Sequence, residues 1–137
     1  MPWAIVDTSI YVGHWEHGLH ADLLAEVRRA FIVRQSAVVL SELRRGARSR
    51  AARDLVESLH RMSTVTWAPE VDDWWEAGRI VQKVGDTQDW EIARRREFQN
   101  DTLIALTALR FGATVVTANR SDFALLSREL GIQILEV

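Results

Sequence analysis

The sequence has no cysteine, only two prolines and a single lysine. Without cysteine there can be no disulfide, no thiolate metal site and no thiol nucleophile, so any metal ion must be bound by oxygen or imidazole. No apolar run approaches the roughly 18 residues of a membrane-spanning helix, and the N-terminus lacks the basic start and long apolar stretch of a signal peptide. We therefore expect a cytoplasmic protein with no membrane partner.

The remaining composition is that of one ordinary globular domain. The chain has 137 residues, of which 47% are hydrophobic and 26% are charged, and a chain of this size can bury a single packed core. It contains no internal repeat, low-complexity tract or flexible linker. We expect residues 1–137 to form a single domain.

Arginine is concentrated in one part of a chain whose net charge is only −2. Between Glu42 and Met62, six arginines accompany three acidic residues. The arginine fork suits phosphate oxygens, which makes this segment a candidate nucleic-acid-binding surface. An ordinary solvated helix face is the alternative. The RNA-binding candidates are Arg44, Arg45 and Arg48.

Short apolar runs alternate with longer segments of helical spacing. The predicted strands are Trp3–Val6, a weaker Phe31–Arg34, Thr64–Trp67, Thr114–Ala118 and Gln133–Val137. The predicted helices are Ala21–Ala30, one from near Ser36, Arg50–Arg61, one after Pro69, an apolar one over Leu103–Leu109 that ends at Gly112, and Ser121–Leu130. This alternation predicts an α/β fold with a mostly parallel sheet and helices on both faces.

Four acidic residues are expected at one edge of that sheet, because ligands of such sheets bind beyond the carboxyl ends of the strands. Asp7 directly follows the first strand, and Asp122 lies shortly after the Thr114–Ala118 strand. Asp101 is predicted to open the helix that runs back antiparallel to this strand. Glu42 lies about one turn into the helix that begins near Ser36.

Each of these acids also has an ordinary explanation. Aspartates near helix starts cap backbone N–H groups, and a lone glutamate is usually a surface helix residue. Capping, however, does not require all four acids to share one edge. Carboxylates gathered there repel one another unless protons or a cation neutralise them, and Mg²⁺ or Mn²⁺ prefers oxygen ligands.

Four segments carry a family resemblance, in order and over nearly the whole chain. The segments are Val6–Ser9 (Val-Asp-Thr-Ser), Leu40–Gly46, Asn100–Ala105 and Val116–Phe123 (Val-Thr-Ala-Asn-Arg-Ser-Asp-Phe). They resemble the ordered motifs of PIN domains, and most closely those of VapC-type toxins. The resemblance implies a three-layer α/β/α fold around a five-stranded parallel sheet. It also implies endonucleolytic cleavage of RNA, as the toxin of a toxin–antitoxin pair that inhibits translation.

The resemblance also implies a metal site and partners. Mg²⁺, for which Mn²⁺ can substitute, would be bound mainly by Asp7 and Asp101. Glu42 would complete the site, and Asp122 would act through a bound water or a second ion. An antitoxin would be the protein partner, and a homodimer is expected.

Three further positions would support the ligands. Asn119 stands where some relatives carry an acid, which leaves one or two metal ions open. The hydroxyls of Ser9 and Thr117 would orient carboxylates, although local turn bonding explains them equally well.

Several alternatives remain at this stage. His14, His17 and His20 have spacing that could suggest zinc, but Gly18 interrupts their helix. A receiver domain needs a lysine after a later strand, and a haloacid-type phosphatase needs an acid where Ser9 stands. The main competitor is a non-catalytic PIN-fold RNA-binding or scaffold protein. The six tryptophans are explained equally well by core packing and by an interface.

Overall fold

The computed structural model describes residues 1–137 as seven helices and six strands. Their order is β1 (Trp3–Val6), α1 (Thr8–His17), α2 (Ala21–Ala30), β2 (Ile32–Val33), β3 (Gln35–Ser36), α3 (Ala37–Gly46), α4 (Arg50–Met62), β4 (Thr66–Trp67), α5 (Val71–Gln88), α6 (Ile92–Phe111), β5 (Thr114–Thr117), α7 (Arg120–Leu130) and β6 (Ile134–Glu136). No helix combines the length and apolar composition that crossing a bilayer requires.

Every strand pairing is parallel, but the strands form two sheets. One sheet has four strands in the order β2-β1-β5-β6, and the other consists of β3 and β4. The expected single five-stranded sheet is therefore wrong in its strand count. Pairing passes from one sheet to the other at Arg34, whose N–H still donates to the carbonyl of Ala4 at 2.9 Å.

The register locates this division. Val33 pairs with Ala4, so continuing the same pairing would set Arg34 and Gln35 opposite Ile5 and Val6, which still belong to β1. Gln35 and Ser36 pair instead with Thr66 and Trp67 of β4. The extended chain from β2 to β3 thus connects the two sheets.

The central strands are covered on both faces. Ala4, Ile5 and Val6 of β1 have exposures of 0%, 0% and 2%, although successive strand residues point to opposite sides of a sheet. Val115 and Val116 of β5 are likewise buried. Helices must therefore pack on both sides, which confirms the predicted three-layer arrangement.

Most helices lie where the sequence predicts them. Helix α2 has the predicted limits, α4 extends one residue further, and α7 begins one residue earlier. Helix α3 begins after Ser36, whose Oγ accepts hydrogen bonds from the N–H groups of Val38 and Val39 at 3.2 and 3.4 Å. This cap fixes the direction in which α3 leaves the sheet.

The position of Asp101 in its helix requires a correction. Helix α6 begins at Ile92, so Asp101 lies in mid-helix and does not open the helix or cap it. The polar stretch before it contains arginine and glutamate, which favour helix without producing an apolar periodicity. Residues 92–100 are therefore helical, although their apolar residues do not show the spacing that would have indicated a buried helix face.

We predict opposite stability changes for two glycine substitutions. Gly112 ends α6 with φ of 65°, a conformation that costs L-residues about 1–2 kcal/mol. Gly78 lies inside α5, where alanine is favoured by roughly 0.5–1 kcal/mol. A Cβ at either position would meet nothing within 4 Å, so backbone conformation alone decides the outcome. Urea unfolding should show Gly112→Ala destabilised and Gly78→Ala stabilised; equal effects would contradict the assigned helix end.

Candidate acidic site

The site begins where β1 and β5 end side by side. The N–H of Asp7 donates to the carbonyl of Val116 at 2.8 Å, which holds Asp7 against the end of β5. Asp7 precedes the first residue of α1, and the N–H groups of Thr8 and Ser9 at the start of that helix approach its carboxylate without forming a regular capping hydrogen bond. It is 3% exposed and accepts hydrogen bonds from Ser9 Oγ at 2.8 Å and from Thr117 Oγ1 at 2.9 Å.

The two hydroxyls also hold the loop that follows β5. Ser9 Oγ accepts from the N–H of Ala118 at 3.0 Å, and Thr117 Oγ1 accepts from the N–H of Asn119 at 2.9 Å. Each hydroxyl therefore donates to the Asp7 carboxylate and accepts from a backbone N–H group of the loop after β5. The orientation of this carboxylate thus depends on the start of α1, which carries Ser9, and on the end of β5, which carries Thr117.

Asn119 connects two further acids. Its Nδ2 donates to Asp101 Oδ2 at 3.1 Å and to Asp122 Oδ2 at 3.2 Å. Asp101 comes from the middle of α6 and Asp122 from the first turn of α7. An amide at this position can donate to both carboxylates, which an acid could not do when ionised.

Asp122 has a second partner that the sequence reasoning missed. Both terminal nitrogens of Arg94 donate to its carboxylate, with NH1 at 3.3 Å from Oδ2. The guanidinium lies 4.2 Å from the centre of the Trp90 ring. The sequence spacing could have indicated Arg94, because this residue precedes Asp101 by about two helical turns and therefore lies on the same face of the helix.

Glu42 completes the group from α3. Its Oε1 accepts a hydrogen bond from Thr8 Oγ1 at 3.0 Å, and Thr8 directly follows Asp7. The four predicted acids thus come from four helices or helix starts and meet near the same end of the sheet.

Burial favours the protonated forms of Asp7, Glu42 and Asp101, and repulsion from neighbouring acids adds to this effect at Glu42 and Asp101. Burial raises the pKa of Asp7, and burial followed by the negative charge of Asp7 raises the pKa of Glu42. The pKa of Asp101 is raised to about 9, first by burial and then by the charge of Asp7. Hydrogen bonding and charge from Asp122 and the charge of Glu42 add to this. The group therefore attracts protons or cations.

The donor chemistry fits a hard divalent cation, since the group offers carboxylate oxygens that repel one another. As arranged, no three acidic or histidine side chains form a metal-binding group. Arg94 forms an ion pair with Asp122, whereas Asp7, Asp101 and Glu42 have no ion-pair partner and could therefore hold an ion.

The histidine run does not form a metal site in the structure. The Nδ1 atom of His14 lies 2.9 Å from the carbonyl oxygen of Leu19, and His20 packs against Gly13. These histidines therefore have local structural partners.

The three predicted RNA-binding arginines are exposed but lie on separate surfaces. Arg44 lines a cavity with Glu57 and His60, whereas Arg48 lines another with Glu42. Arg45 lines a third cavity, and its positive charge lowers the pKa of Glu42. Arg45 and Arg48 therefore lie near Glu42, whereas none of the four acids lines the cavity of Arg44.

Comparison with known proteins gives a family and a fold. A sequence model of the PIN domain matches residues 4–128. No curated protein sequence is significantly similar to the chain.

Solved structures share the fold at low sequence identity. VapBC-1 from nontypeable Haemophilus influenzae has a TM-score of 0.70 and 19% identity, with 98% of this chain and 97% of that chain covered. VapBC2 from Rickettsia felis, bound to a DNA fragment from its promoter, has a TM-score of 0.68 and 18% identity, with 98% of both chains covered. VapBC-5 from Mycobacterium tuberculosis, of a toxin–antitoxin family, has a TM-score of 0.62 and 22% identity over both whole chains.

We predict that Asp101 makes the metal-free protein less stable as pH rises. In the folded state Asp101 keeps its proton up to its pKa of about 9, whereas in the unfolded chain Asp101 loses the proton near the ordinary pKa of 3.8. The folded state therefore binds more protons across this interval, and the free energy of unfolding falls with pH. Asp101→Asn should be less pH-dependent and more stable than the parent at pH 8. Urea unfolding in chelator measures this; a parallel pH dependence in both proteins would contradict it.

Proposed function

This chain belongs to the PIN domain family, and we propose that it is a metal-dependent endoribonuclease, the toxin of a toxin–antitoxin pair. The observation that carries the proposal is the meeting of Asp7, Glu42, Asp101 and Asp122 at one end of the sheet. Their buried acidic groups favour a cation, and the hydroxyls of Ser9 and Thr117 in the site are both engaged in hydrogen bonds to Asp7. Hydrolysis of a phosphodiester bond at such a site relies on metal-assisted chemistry.

Asp7, Asp101 and Glu42 would bind Mg²⁺ or Mn²⁺. A bound ion of this kind supplies an activated water and stabilises negative charge on the phosphate. Asp7 is pre-oriented by Ser9 and Thr117, so its carboxylate loses little freedom when it binds the ion.

Asp122 and Asn119 would position the remainder of the site. Arg94 fixes the Asp122 carboxylate, and Asn119 ties it to Asp101. Asp122 would then act on a metal-ligated or nucleophilic water instead of binding the first ion directly. Changes at Asn119 would act through the orientation of both carboxylates.

The neighbouring structures support the biological setting that we propose. The neighbouring structures are VapBC and FitAB assemblies, some of them bound to DNA. We propose that an antitoxin binds and inhibits this chain, and that the free protein is a homodimer. Its substrate would be cytoplasmic RNA whose cleavage inhibits translation.

We expect cleavage of RNA to require both the cation and Asp101. Excess chelator should abolish cleavage, and Mg²⁺ or Mn²⁺ should restore it. Asp101→Asn should lower cleavage by more than about 100-fold, because even residues that only support ligands contribute about 10–100-fold. Mn²⁺ should also raise the melting temperature of the parent and have less effect on the variant.

Asp54→Asn is the matched control, because Asp54 is an exposed acid on α4. It should keep both cleavage and the response to Mn²⁺. Full cleavage in excess chelator would refute the metal mechanism. RNA binding without cleavage at any metal concentration would favour the non-catalytic alternative.

The arginines should differ in their contribution to RNA binding. Each phosphate of a single strand that a cation neutralises adds about 0.7 to the slope of log affinity against log salt concentration. The double variant Arg45→Ala/Arg48→Ala should therefore bind RNA more weakly and with a shallower slope. Arg44→Ala should change the slope less, because none of the four acids lines the cavity of Arg44.

Binding titrations of a single-stranded RNA over a range of salt concentrations, in chelator, measure these slopes without cleavage. An unchanged slope in the double variant would show that this cluster is an ordinary solvated helix surface.

A further inference from the structure

A cavity of about 380 Å³ opens beside the acidic site, between α3, α5 and α6. This volume lies within the range of roughly 300–1,000 Å³ that is usual for small-ligand pockets. Its walls are formed by Ala37, Val38, Ser41, Arg45, Ala68, Pro69, Trp74 and Asn100. We call it the Trp74 pocket.

Two residues of the pocket wall bring it close to Glu42. The side-chain amide of Asn100 hydrogen-bonds to the Glu42 carboxylate, and the positive charge of Arg45 lies near the same group. A ligand that entered the pocket would therefore lie next to Glu42.

Trp74 gives the pocket an unused aromatic surface. Its side chain is 52% exposed, and its ring makes no stacking, edge or cation contact within the protein. By contrast, Trp67 stacks on Phe111 at 4.0 Å, and Trp90 packs against Phe98 at 4.9 Å. Aromatic packing therefore accounts for Trp67 and Trp90, whereas the half-exposed ring of Trp74 has no aromatic or cationic partner.

The polar residues of the pocket complement a nucleotide. Arg45 is exposed and forms no ion pair, and Ser41 and Asn100 provide donors and acceptors. Unpaired bases are bound by stacking on aromatic side chains, with cations along the backbone, whereas double-stranded RNA is recognised mainly by shape. We propose that the Trp74 pocket binds an unpaired base next to the scissile phosphate, with Trp74 stacking on the base and Arg45 binding a phosphate.

This inference rests on the proposed ribonuclease function and adds to it a subsite for one unpaired base, built from residues of this chain. A protein partner on α5 would instead cover Val71 and Trp75, each 85% exposed. Neither of them lines the pocket, and adjacent helix residues point about 100° apart. Trp75 is therefore a matched control for Trp74.

The test compares four proteins on one single-stranded RNA oligonucleotide. These are the parent, Trp74→Ala, Trp74→Phe and Trp75→Ala, with binding measured in chelator and cleavage measured in Mg²⁺. Trp74→Ala should weaken binding by about 10- to 100-fold, the usual effect of losing one stacked base. Trp74→Phe should recover most of the loss, and Trp75→Ala should match the parent.

A substrate series keeps the test independent of how the variants fold. Single abasic sites are moved along the oligonucleotide, and one position near the cut should weaken binding to the parent but not to Trp74→Ala. If no position behaves in this way, the proposed base pocket is refuted.

Light scattering distinguishes a protein interface. If Trp74→Ala and Trp75→Ala both lower the molecular mass and weaken binding together, this face joins protein chains and the inference fails. A parent that cleaves RNA, with Trp74→Ala equal to it, would overturn only the pocket. A parent that cleaves no RNA would overturn the ribonuclease proposal itself, while the binding comparison would still decide the pocket.

Discussion

The concentration of buried negative charge at the end of β1 and β5 determines the arrangement of the residues around it. Asp7, Asp101 and Asp122 are largely enclosed, and a carboxylate removed from water is stable only with donors, a counter-charge or a proton. Each of these three acids is stabilised in a different way. Asp7 has two hydroxyl donors, Asp122 has the guanidinium of Arg94, and Asp101 retains its proton. The least compensated acid is therefore the one that a cation would stabilise most.

Sequence reasoning succeeded where chain geometry leaves little choice. A residue that ends a buried parallel strand must lie at the carboxyl edge of the sheet, so Asp7 could be located from the strand alone. Glu42 followed from the cap at Ser36, because the start of α3 fixes which turn carries it. Gly112 marked the end of α6, because its left-handed conformation excludes most other residues.

Sequence reasoning failed where contacts between distant parts of the chain determine the structure. Asp101 was expected at a helix start, but the polar residues before it extend α6 back to Ile92. The prediction still brought Asp101 to the correct edge, since the direction of the helix mattered more than its first residue. Arg94 was missed because the partner of a polar helix residue depends on the approach of α7, which no local pattern reveals. Likewise, the number of strands in the sheet depended on a change of partner at Arg34.

The charge balance bears on how many ions the site needs. With all four acids ionised, the guanidinium of Arg94 offsets one negative charge and a single divalent cation would offset two more. Asp101 can keep its proton when no ion is present, which lowers the net negative charge of the metal-free site by one, against two for a divalent cation. An acid in place of Asn119 would add another negative charge and remove the donor shared by Asp101 and Asp122. Because Asn119 contributes no charge, the site has less negative charge for cations to offset than a site with an acid in that place.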